Sequence, residues 1–187
     1  GIDISCINKR DKSGTSTLMY FIKKEEVALA NGCLCIDGID IDFEDIYGKT
    51  CLMWASVNNL DQVAQKILSK LSQEKMKIDR VGSSLLVNQS DNDGWNAFMY
   101  ACQKNNDKVL QGIFDRNSIC KFDFNFQEKR GYTGFIGACR NKNQKVIDLI
   151  LANYQEHQID LKIKNYKGKT GMDLWPEKFE EMNIDNL

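Results

Sequence analysis

Hydrophobic residues recur along the chain in an order that predicts pairs of short helices. A short apolar stretch such as residues 52–55 is followed by an Asn-rich break at 58–59, and then by apolar residues at Val63, Ile67 and Leu68. Apolar positions at i, i+4 and i+5 fall on one face of an α-helix. The Asn-rich break is expected to end the first helix and to reverse the chain. The pattern therefore predicts helix–turn–helix units.

The first stretch of the unit can be aligned five times, and each copy begins at a glycine. These glycines are 34, 46, 37 and 37 residues apart. A Thr or Ser two residues after the glycine can satisfy backbone amides at the start of a helix. Because neither helix of a pair can bury its apolar face alone, we expect the pairs to stack side by side. The aligned segments are 14–21, 48–55, 94–101, 131–138 and 168–175.

Apolar residues also recur at two fixed positions in the second helix of the first four units. At the first position they are Leu29, Val63, Val109 and Val146. At the second they are Leu34, Leu68, Phe114 and Leu151. We expect both sets to lie in a shared core. Between the helix pairs, segments 40–45, 123–128 and 160–165 alternate apolar and polar residues, which favours an extended arm of a hairpin-like turn.

The pattern Asp-x-x-Gly-x-Thr-x-Leu-x-x-Ala, followed by an Asn-rich turn, Val-x-x-x-Ile-Leu and Asp-φ-Asn, resembles the ankyrin repeat. The resemblance covers about five repeats, over residues 6–175. It implies an all-α fold, an ankyrin-repeat solenoid of stacked helix–turn–helix units joined by β-hairpin-like loops. The whole of 1–187 is then a single domain. Its repeats are led by Gly14, Gly48, Gly94, Gly131 and Gly168.

This chain departs from the ankyrin pattern at the start of each first helix. The proline usual there is replaced by Thr17, Cys51, Ala97, Gly134 and Gly171. The second repeat also has the longest interval, which predicts an insertion at about residues 69–85. Since Leu71 continues the apolar stripe, we expect a longer second helix and then a tolerated loop, with a partner-contacting protrusion as the alternative. Residues 171–187 are expected to form a C-terminal cap.

Composition and charge narrow the functional classes. With 25 Lys+Arg against 26 Asp+Glu, the chain lacks the basic surplus of a general nucleic-acid binder. No apolar run reaches the roughly 20 residues of a membrane span, and the N-terminus does not resemble a signal peptide. Seven cysteines are an odd number, so we expect reduced thiols and a cytoplasmic location. We expect a monomer, and the leading Gly1 suggests a piece of a longer protein.

Residues that could carry chemistry do not form a catalytic or metal-binding pattern. His157 is the chain's only histidine, lies in a polar stretch, and is predicted to be a solvated surface residue. Cys33 and Cys35 lack a second pair of ligands for zinc. Residues 48–50 lack the preceding glycine of a phosphate-binding loop. The sequence therefore predicts neither a cofactor, nor a bound metal, nor an enzyme.

The ankyrin resemblance implies that a partner is bound by the loop tips and the exposed side of the first helices. Aromatic residues recur at these tips, and such residues are enriched at interaction hot spots. Residues 101–170 carry 13 Lys+Arg against 7 Asp+Glu, which favours an acidic or phosphorylated partner segment. The candidate partner-binding residues are Tyr47, Lys49, Trp95, Lys104, Arg130, Tyr132, Arg140, Tyr166, Lys167 and Lys169.

Several functions agree with these patterns. The leading hypothesis is a non-catalytic module that binds a segment of another protein through its concave groove and loop tips. The alternative is a targeting or regulatory ankyrin domain of a larger enzyme, channel or secreted effector. Two weaker hypotheses are a methyl-lysine cage formed by Trp95, Tyr100 and Asp93, and phosphoinositide or nucleic-acid binding through residues 101–170.

Overall fold

The computed structural model describes residues 4–77 and 87–180, and this part of the chain is helical. None of the described residues belongs to a β-strand, although an isolated antiparallel bridge pairs Arg10 with Ser16. The predicted all-α class is therefore confirmed. The described helices are α1 (Ile4–Ile7), α2 (Thr17–Lys23), α3 (Val27–Leu34), α4 (Cys51–Val57), α5 (Asp61–Lys77), α6 (Ala97–Gln103), α7 (Asp107–Asp115), α8 (Asn117–Cys120), α9 (Gly134–Arg140), α10 (Gln144–Asn153), α11 (Gly171–Leu174) and α12 (Pro176–Glu180).

The helices are arranged as consecutive pairs, which we number as units one to five after their leading glycines. The pairs are α2 with α3, α4 with α5, α6 with α7, and α9 with α10, while unit five begins with α11. The two helices of a pair contact each other. Each first helix also contacts the first helix of the next unit, and each second helix contacts the next second helix. The core lies between these two rows of helices.

Local sequence explains where each first helix begins. The residue two after each leading glycine has extended backbone, and its side chain accepts a hydrogen bond from the backbone N–H three residues later. This N-cap satisfies an amide that has no partner inside the helix. The predicted capping position is therefore confirmed in all five units. The capping residues are Ser16, Thr50, Asn96, Thr133 and Thr170.

The turn between the two helices is reached through a left-handed residue. Asn59 and Asn105 adopt φ of 55° there, as do Glu25 and Lys142 with φ of 59° and 54°. Asparagine tolerates this conformation better than most residues, which accounts for the Asn-rich breaks. The predicted end of the first helix and the reversal of the chain are confirmed.

The predicted apolar stripe is buried in units two and three, whereas Leu151 of unit four is only partly buried and the prediction is wrong at Leu29 of unit one. Val63, Val109 and Val146 are fully buried, whereas Leu29 is 51% exposed. In α3 the buried face is formed by Ala30 with Cys33 and Leu34. No helix pair precedes unit one in the described part of the chain, so nothing there covers Leu29.

Two first helices begin with a glycine because a phenylalanine packs against that position. A Cβ on Gly134 would lie 2.4 Å from the Phe98 ring, and one on Gly171 would lie 2.5 Å from the Phe135 ring. Real Cβ atoms do not approach other atoms this closely, so neither position has room for a side chain. The phenylalanine ring of one unit therefore leaves room only for glycine at the first helical position of the next unit.

Asparagine side chains join consecutive units on the opposite side of the stack from the turns. Asn125 donates to the carbonyl of Gln158 at 2.9 Å and accepts from the N–H of Asp160 at 2.8 Å. Asn88 makes the same pair of bonds to Lys121 and Asp123. Segments 40–45, 123–128 and 160–165, predicted to be extended arms, are non-helical and form no strand in the described structure.

The predicted insertion of unit two and the predicted C-terminal cap are each seen in part. The second helix of unit two runs for 17 residues where that of unit three has 9, so its predicted lengthening is confirmed. The remainder of the predicted insertion, residues 78–85, lies outside the described residues. In the predicted cap, Phe179 of α12 is buried against the Phe135 ring at 6.1 Å between centroids. Residues 181–187 also lie outside the described part.

Candidate functional site

The loop that leads into each unit has the same hydrogen-bonded geometry in all five units. The residue three before the glycine accepts, through its side chain, the backbone N–H groups just before and just after the glycine. The glycine itself has φ between 71° and 87°, a range that residues with a Cβ seldom adopt. The tip residues on either side of the glycine are therefore held in place. The accepting residues are Asp11, Asp45, Asp91, Glu128 and Asn165.

Neighbouring tips are joined by backbone hydrogen bonds at three of the four junctions. The N–H groups of Ile46, Asn92 and Tyr166 donate to the preceding tip at 2.9 Å, 2.9 Å and 3.1 Å. Between units three and four, the equivalent bond from Lys129 to Asp93 is not formed among these described residues. There the Nζ of Lys129 donates instead to the carbonyl of Asn92.

The junction between units two and three is closed by a partly buried ion pair. The Nζ of Lys49 contacts Asp91, whose side chain is 1% exposed, and also the hydroxyl of Tyr100. The Tyr100 hydroxyl donates to the same Asp91 carboxylate. The Lys49 ammonium lies 4.2 Å from the centre of the Tyr100 ring, a cation–π arrangement. The Lys49 charge is thus used inside the chain, where it ties unit two to unit three.

Electrostatics at this junction favour the ionised carboxylate. Burial alone raises the pKa of Asp91, but hydrogen bonds from Lys49 and Tyr100 outweigh it and hold that pKa below its ordinary value. Burial and the Asp91 carboxylate together raise the pKa of the Tyr100 hydroxyl, which therefore remains a hydrogen-bond donor.

The junction between units one and two is closed in a similar way. Lys23 forms a 2.8 Å salt bridge with Asp45, and the indole Nε1 of Trp54 donates to the same carboxylate at 2.9 Å. The Lys23 ammonium lies 4.9 Å from the centre of the Trp54 ring. Trp54 and Tyr100 occupy the same position in their units, six residues after the leading glycine, and at both junctions this aromatic residue binds the tip carboxylate.

The junction between units three and four has no aromatic residue at that position and is open. Gly137 lies where the other two units have Trp54 and Tyr100. A Cβ on Gly137 would have no atom within 4 Å, so the glycine faces empty space. A pocket of about 330 Å³ lies here, and Trp95 and Tyr132 line it on the two sides of the junction.

Charged side chains surround this pocket unevenly. Arg130, Arg140 and Lys129 line it together with Asp93 and Glu128. The Arg140 guanidinium lies 5.5 Å from the centre of the Tyr132 ring. Neither Arg130 nor Arg140 forms a salt bridge with any described residue. The pocket therefore has an excess of one positive charge and two exposed arginines without an acidic partner.

The structure brings together four of the ten predicted partner-binding residues at this pocket: Trp95, Arg130, Tyr132 and Arg140. Among the other six, Lys49 is bound to Asp91 inside the chain. Tyr47 and Tyr166 are 58% and 77% exposed at their own tips, apart from the pocket. The remaining three, Lys104, Lys167 and Lys169, are exposed and likewise do not line it.

Residues of the pocket that sequence reasoning missed include Gly137, Gln103 and Asn141. Gly137 was visible in the alignment, because it is the one glycine in a column that contains Tyr20, Trp54, Tyr100 and Leu174. A missing side chain among large ones is the signal that predicts a pocket. Gln103 and Asn141 carried no comparable signal, since they lie at helix ends where polar residues are common.

The prediction for His157 is wrong. Its ring is half-buried and stacks on Phe114, with 4.7 Å between centroids, and it also lies 5.5 Å from Phe124. Asn117 contacts its Nδ1 at 3.3 Å. The polar residues beside His157 in the sequence gave no sign of these aromatic neighbours, which come from the preceding unit.

Two further observations bear on the chemistry of the chain. No group of three or more His, Cys, Asp or Glu side chains in the described structure is arranged to hold a metal ion. Within the same residues, the helices lack the combination of length and apolar character that a bilayer crossing requires.

Comparison with known proteins adds no assignment, since no protein-family model matches the chain and a search of curated proteins finds no match.

Proposed function

We propose that the protein is an ankyrin-repeat interaction module, which binds a segment of another protein and catalyses no reaction. The repeated loop geometry, the capped first helices and the contacts between consecutive helix pairs support the ankyrin assignment. The observation that carries the binding function is the open junction between units three and four. Four side chains proposed to bind a partner line one pocket there.

The lining of this pocket is suited to recognition. Trp95 and Tyr132 offer large, rigid surfaces at a low cost in conformational entropy. Arg130 and Arg140 offer guanidinium groups that can bind carboxylates through paired hydrogen bonds. Aromatic residues and arginine are the types most enriched at interaction hot spots.

The titratable side chains support a non-catalytic role. The thiols of Cys51, Cys102 and Cys139 are buried, and burial raises the pKa of each, which disfavours the reactive thiolate. His157 packs against Phe114 rather than beside a nucleophile. The six cysteines from Cys33 to Cys139 form no disulfide in the described structure, which favours a reducing compartment such as the cytoplasm.

Affinity purification with a variant of the tip and pocket residues tests the proposal. The intact chain is compared with a Tyr47→Ala/Trp95→Ala/Tyr132→Ala variant as bait, and bound proteins are quantified by mass spectrometry. Tyr20→Ala is the control, because Tyr20 is 52% exposed in unit one, away from the pocket. We expect the triple variant to lose specific partners that the control keeps. Circular dichroism checks that both variants remain folded.

The outcome that contradicts the proposal is equally definite. If the folded triple variant retains every partner of the parent chain, neither the tips nor the pocket forms the binding surface.

A further inference from the structure

We infer that the pocket at Gly137 binds a carboxylate side chain from an extended acidic segment of the partner. This inference rests on the proposed function and specifies the chemistry of its ligand. It depends on the placement of Arg130 and Arg140, on the empty space over Gly137, and on the exposed lysines of units three to five.

Charge complementarity favours a negatively charged ligand. Arg130 and Arg140 both line the pocket and lack an acidic partner among the described residues. The Glu128 carboxylate is buried and accepts two backbone N–H groups of its own loop. Asp93 lies on the tip of unit three, so a carboxylate ligand is favoured on the unit-four side, near the arginines.

A cationic ligand fits this junction poorly. The methyl-lysine cage predicted from Trp95, Tyr100 and Asp93 requires a free aromatic face on Tyr100. The Lys49 ammonium already lies 4.2 Å from the centre of that ring, and the Trp95 ring packs beside it at 5.5 Å. Arg140 similarly lies over the Tyr132 ring and would repel a second cation.

The distribution of cations favours an extended segment over a single small anion. Lys104 lies at the end of α6 in unit three, Arg130 is at the tip of unit four, and Lys167 and Lys169 are at the tip of unit five. All four are exposed, and none forms a salt bridge with a described residue. One anion can meet the arginines of the pocket only, whereas a segment with several Asp or Glu residues can meet cations of all three units.

The pocket itself gives one side chain of that segment a defined place. Gly137 forms part of its wall, and a Cβ there would meet no atom within 4 Å. A volume of about 330 Å³ is sufficient for a Glu side chain flanked by the rings of Trp95 and Tyr132. A carboxylate held there accepts hydrogen bonds from guanidinium groups in a site partly shielded from water, where such bonds are strong.

Nuclear magnetic resonance on the full ¹⁵N-labelled chain tests the inference. The probe is an acetylated dodecapeptide rich in Asp and Glu, and the reference is the same peptide with Asn and Gln. The three indole N–H signals provide an internal comparison, since Trp95 lines the pocket while Trp54 donates to Asp45 and Trp175 lies outside it. We expect the acidic peptide to shift the Trp95 signal and the neutral peptide to shift none.

Matched variants distinguish binding in the pocket from attraction of the peptide to the overall charge of the chain. Arg140→Gln should weaken binding of the acidic peptide roughly tenfold, because hydrogen bonds between charged groups are lost. Lys12→Gln removes the same charge from the exposed tip of unit one and should weaken it less than about twofold. Gly137→Leu keeps every charge but fills the pocket, and should abolish the Trp95 shift while the melting temperature is maintained.

Three results would overturn the inference. Equal weakening by Arg140→Gln and Lys12→Gln would mean that the peptide responds to overall charge. An unchanged Trp95 shift in Gly137→Leu would place the ligand elsewhere. Binding of a phosphoserine dodecapeptide with no binding of the Asp/Glu peptide would assign the arginines to phosphate instead. In each case a partner lost from the Tyr47→Ala/Trp95→Ala/Tyr132→Ala variant would still support the proposed function, so the two failures are distinguishable.

Discussion

Two junctions of the same stack differ in the side chains that lie beside their loop tips. Between units two and three, Lys49, Asp91 and Tyr100 form a bonded group that fills the space beside the tips. Between units three and four, Gly137 leaves that space empty, and the backbone bond between the tips is not formed among the described residues. The first helices beneath are in contact at both junctions.

The two junctions differ in the residue that could bind the tip carboxylate, which is Tyr100 in unit three and Gly137 in unit four. Six residues after the leading glycine, Trp54 and Tyr100 donate to the carboxylates of Asp45 and Asp91. A glycine in the same place has no side chain to donate, and among the described residues the Glu128 carboxylate is hydrogen-bonded to its own loop alone. Because the first helices are in contact at both junctions, a pocket can form at one of them while the helices remain stacked.

The largest expected effect on stability comes from breaking the junction between units two and three. Asp91→Ala leaves the partly buried Lys49 charge, the Tyr100 hydroxyl and two loop N–H groups without their acceptor. We expect a loss of about 3 kcal/mol or more in unfolding free energy, measured by urea denaturation. Asp93→Ala is the control, because Asp93 is exposed two residues away, and it should change stability by less than about 0.5 kcal/mol. Equal effects would show that the Lys49 pair does not hold the junction.

The next effect concerns the helix contacts that both junctions share. Gly134→Ala places a methyl group 2.4 Å from the Phe98 ring, which is buried among Phe114 and Phe124 and cannot move away freely. Overpacking of this kind should cost about 1–3 kcal/mol. Gly32→Ala, in a helix position with no atom within 4 Å of the new Cβ, is the matched control and should not destabilise. A neutral Gly134→Ala would contradict the close packing of α6 on α9.

Acid should weaken the junction between units two and three. The folded pKa of Asp91 lies below its ordinary value, so the carboxylate contributes stability that is fully present above the unfolded pKa of about 3.9. That contribution is lost as the pH falls through the lower folded pKa. We therefore expect unfolding free energy to decline below about pH 4, and the Asp91→Asn variant to decline less steeply over the same range. Parallel curves for the two proteins would exclude a role for Asp91 ionisation.

The sequence predicted the local structure of each unit and the stacking of the units, but it did not predict the individual side-chain pairs that join one unit to the next. The caps Thr50 and Thr133 and the turn residue Asn105 depend on neighbours within a few positions, so their patterns are visible in the chain. The bond between Lys49 and Asp91 joins residues 42 apart, and the stacking of His157 on Phe114 joins two units. No local pattern predicts such pairs, which is why Lys49 was assigned to a partner and His157 to solvent.

Gly137→Ala should have the smallest effect on stability, and the sign of that effect tests whether the junction between units three and four is open. A glycine inside a helix costs up to about 1 kcal/mol relative to alanine, and the added methyl group would meet no atom within 4 Å. We therefore expect an increase of up to about 1 kcal/mol in unfolding free energy by urea denaturation, with peptide binding at the pocket retained. Gly32→Ala, equally free of contacts in α3, gives the size of the helix effect alone. A loss of stability in Gly137→Ala but not in Gly32→Ala would mean that side chains occupy this space in solution, because only a closed junction would resist so small an addition.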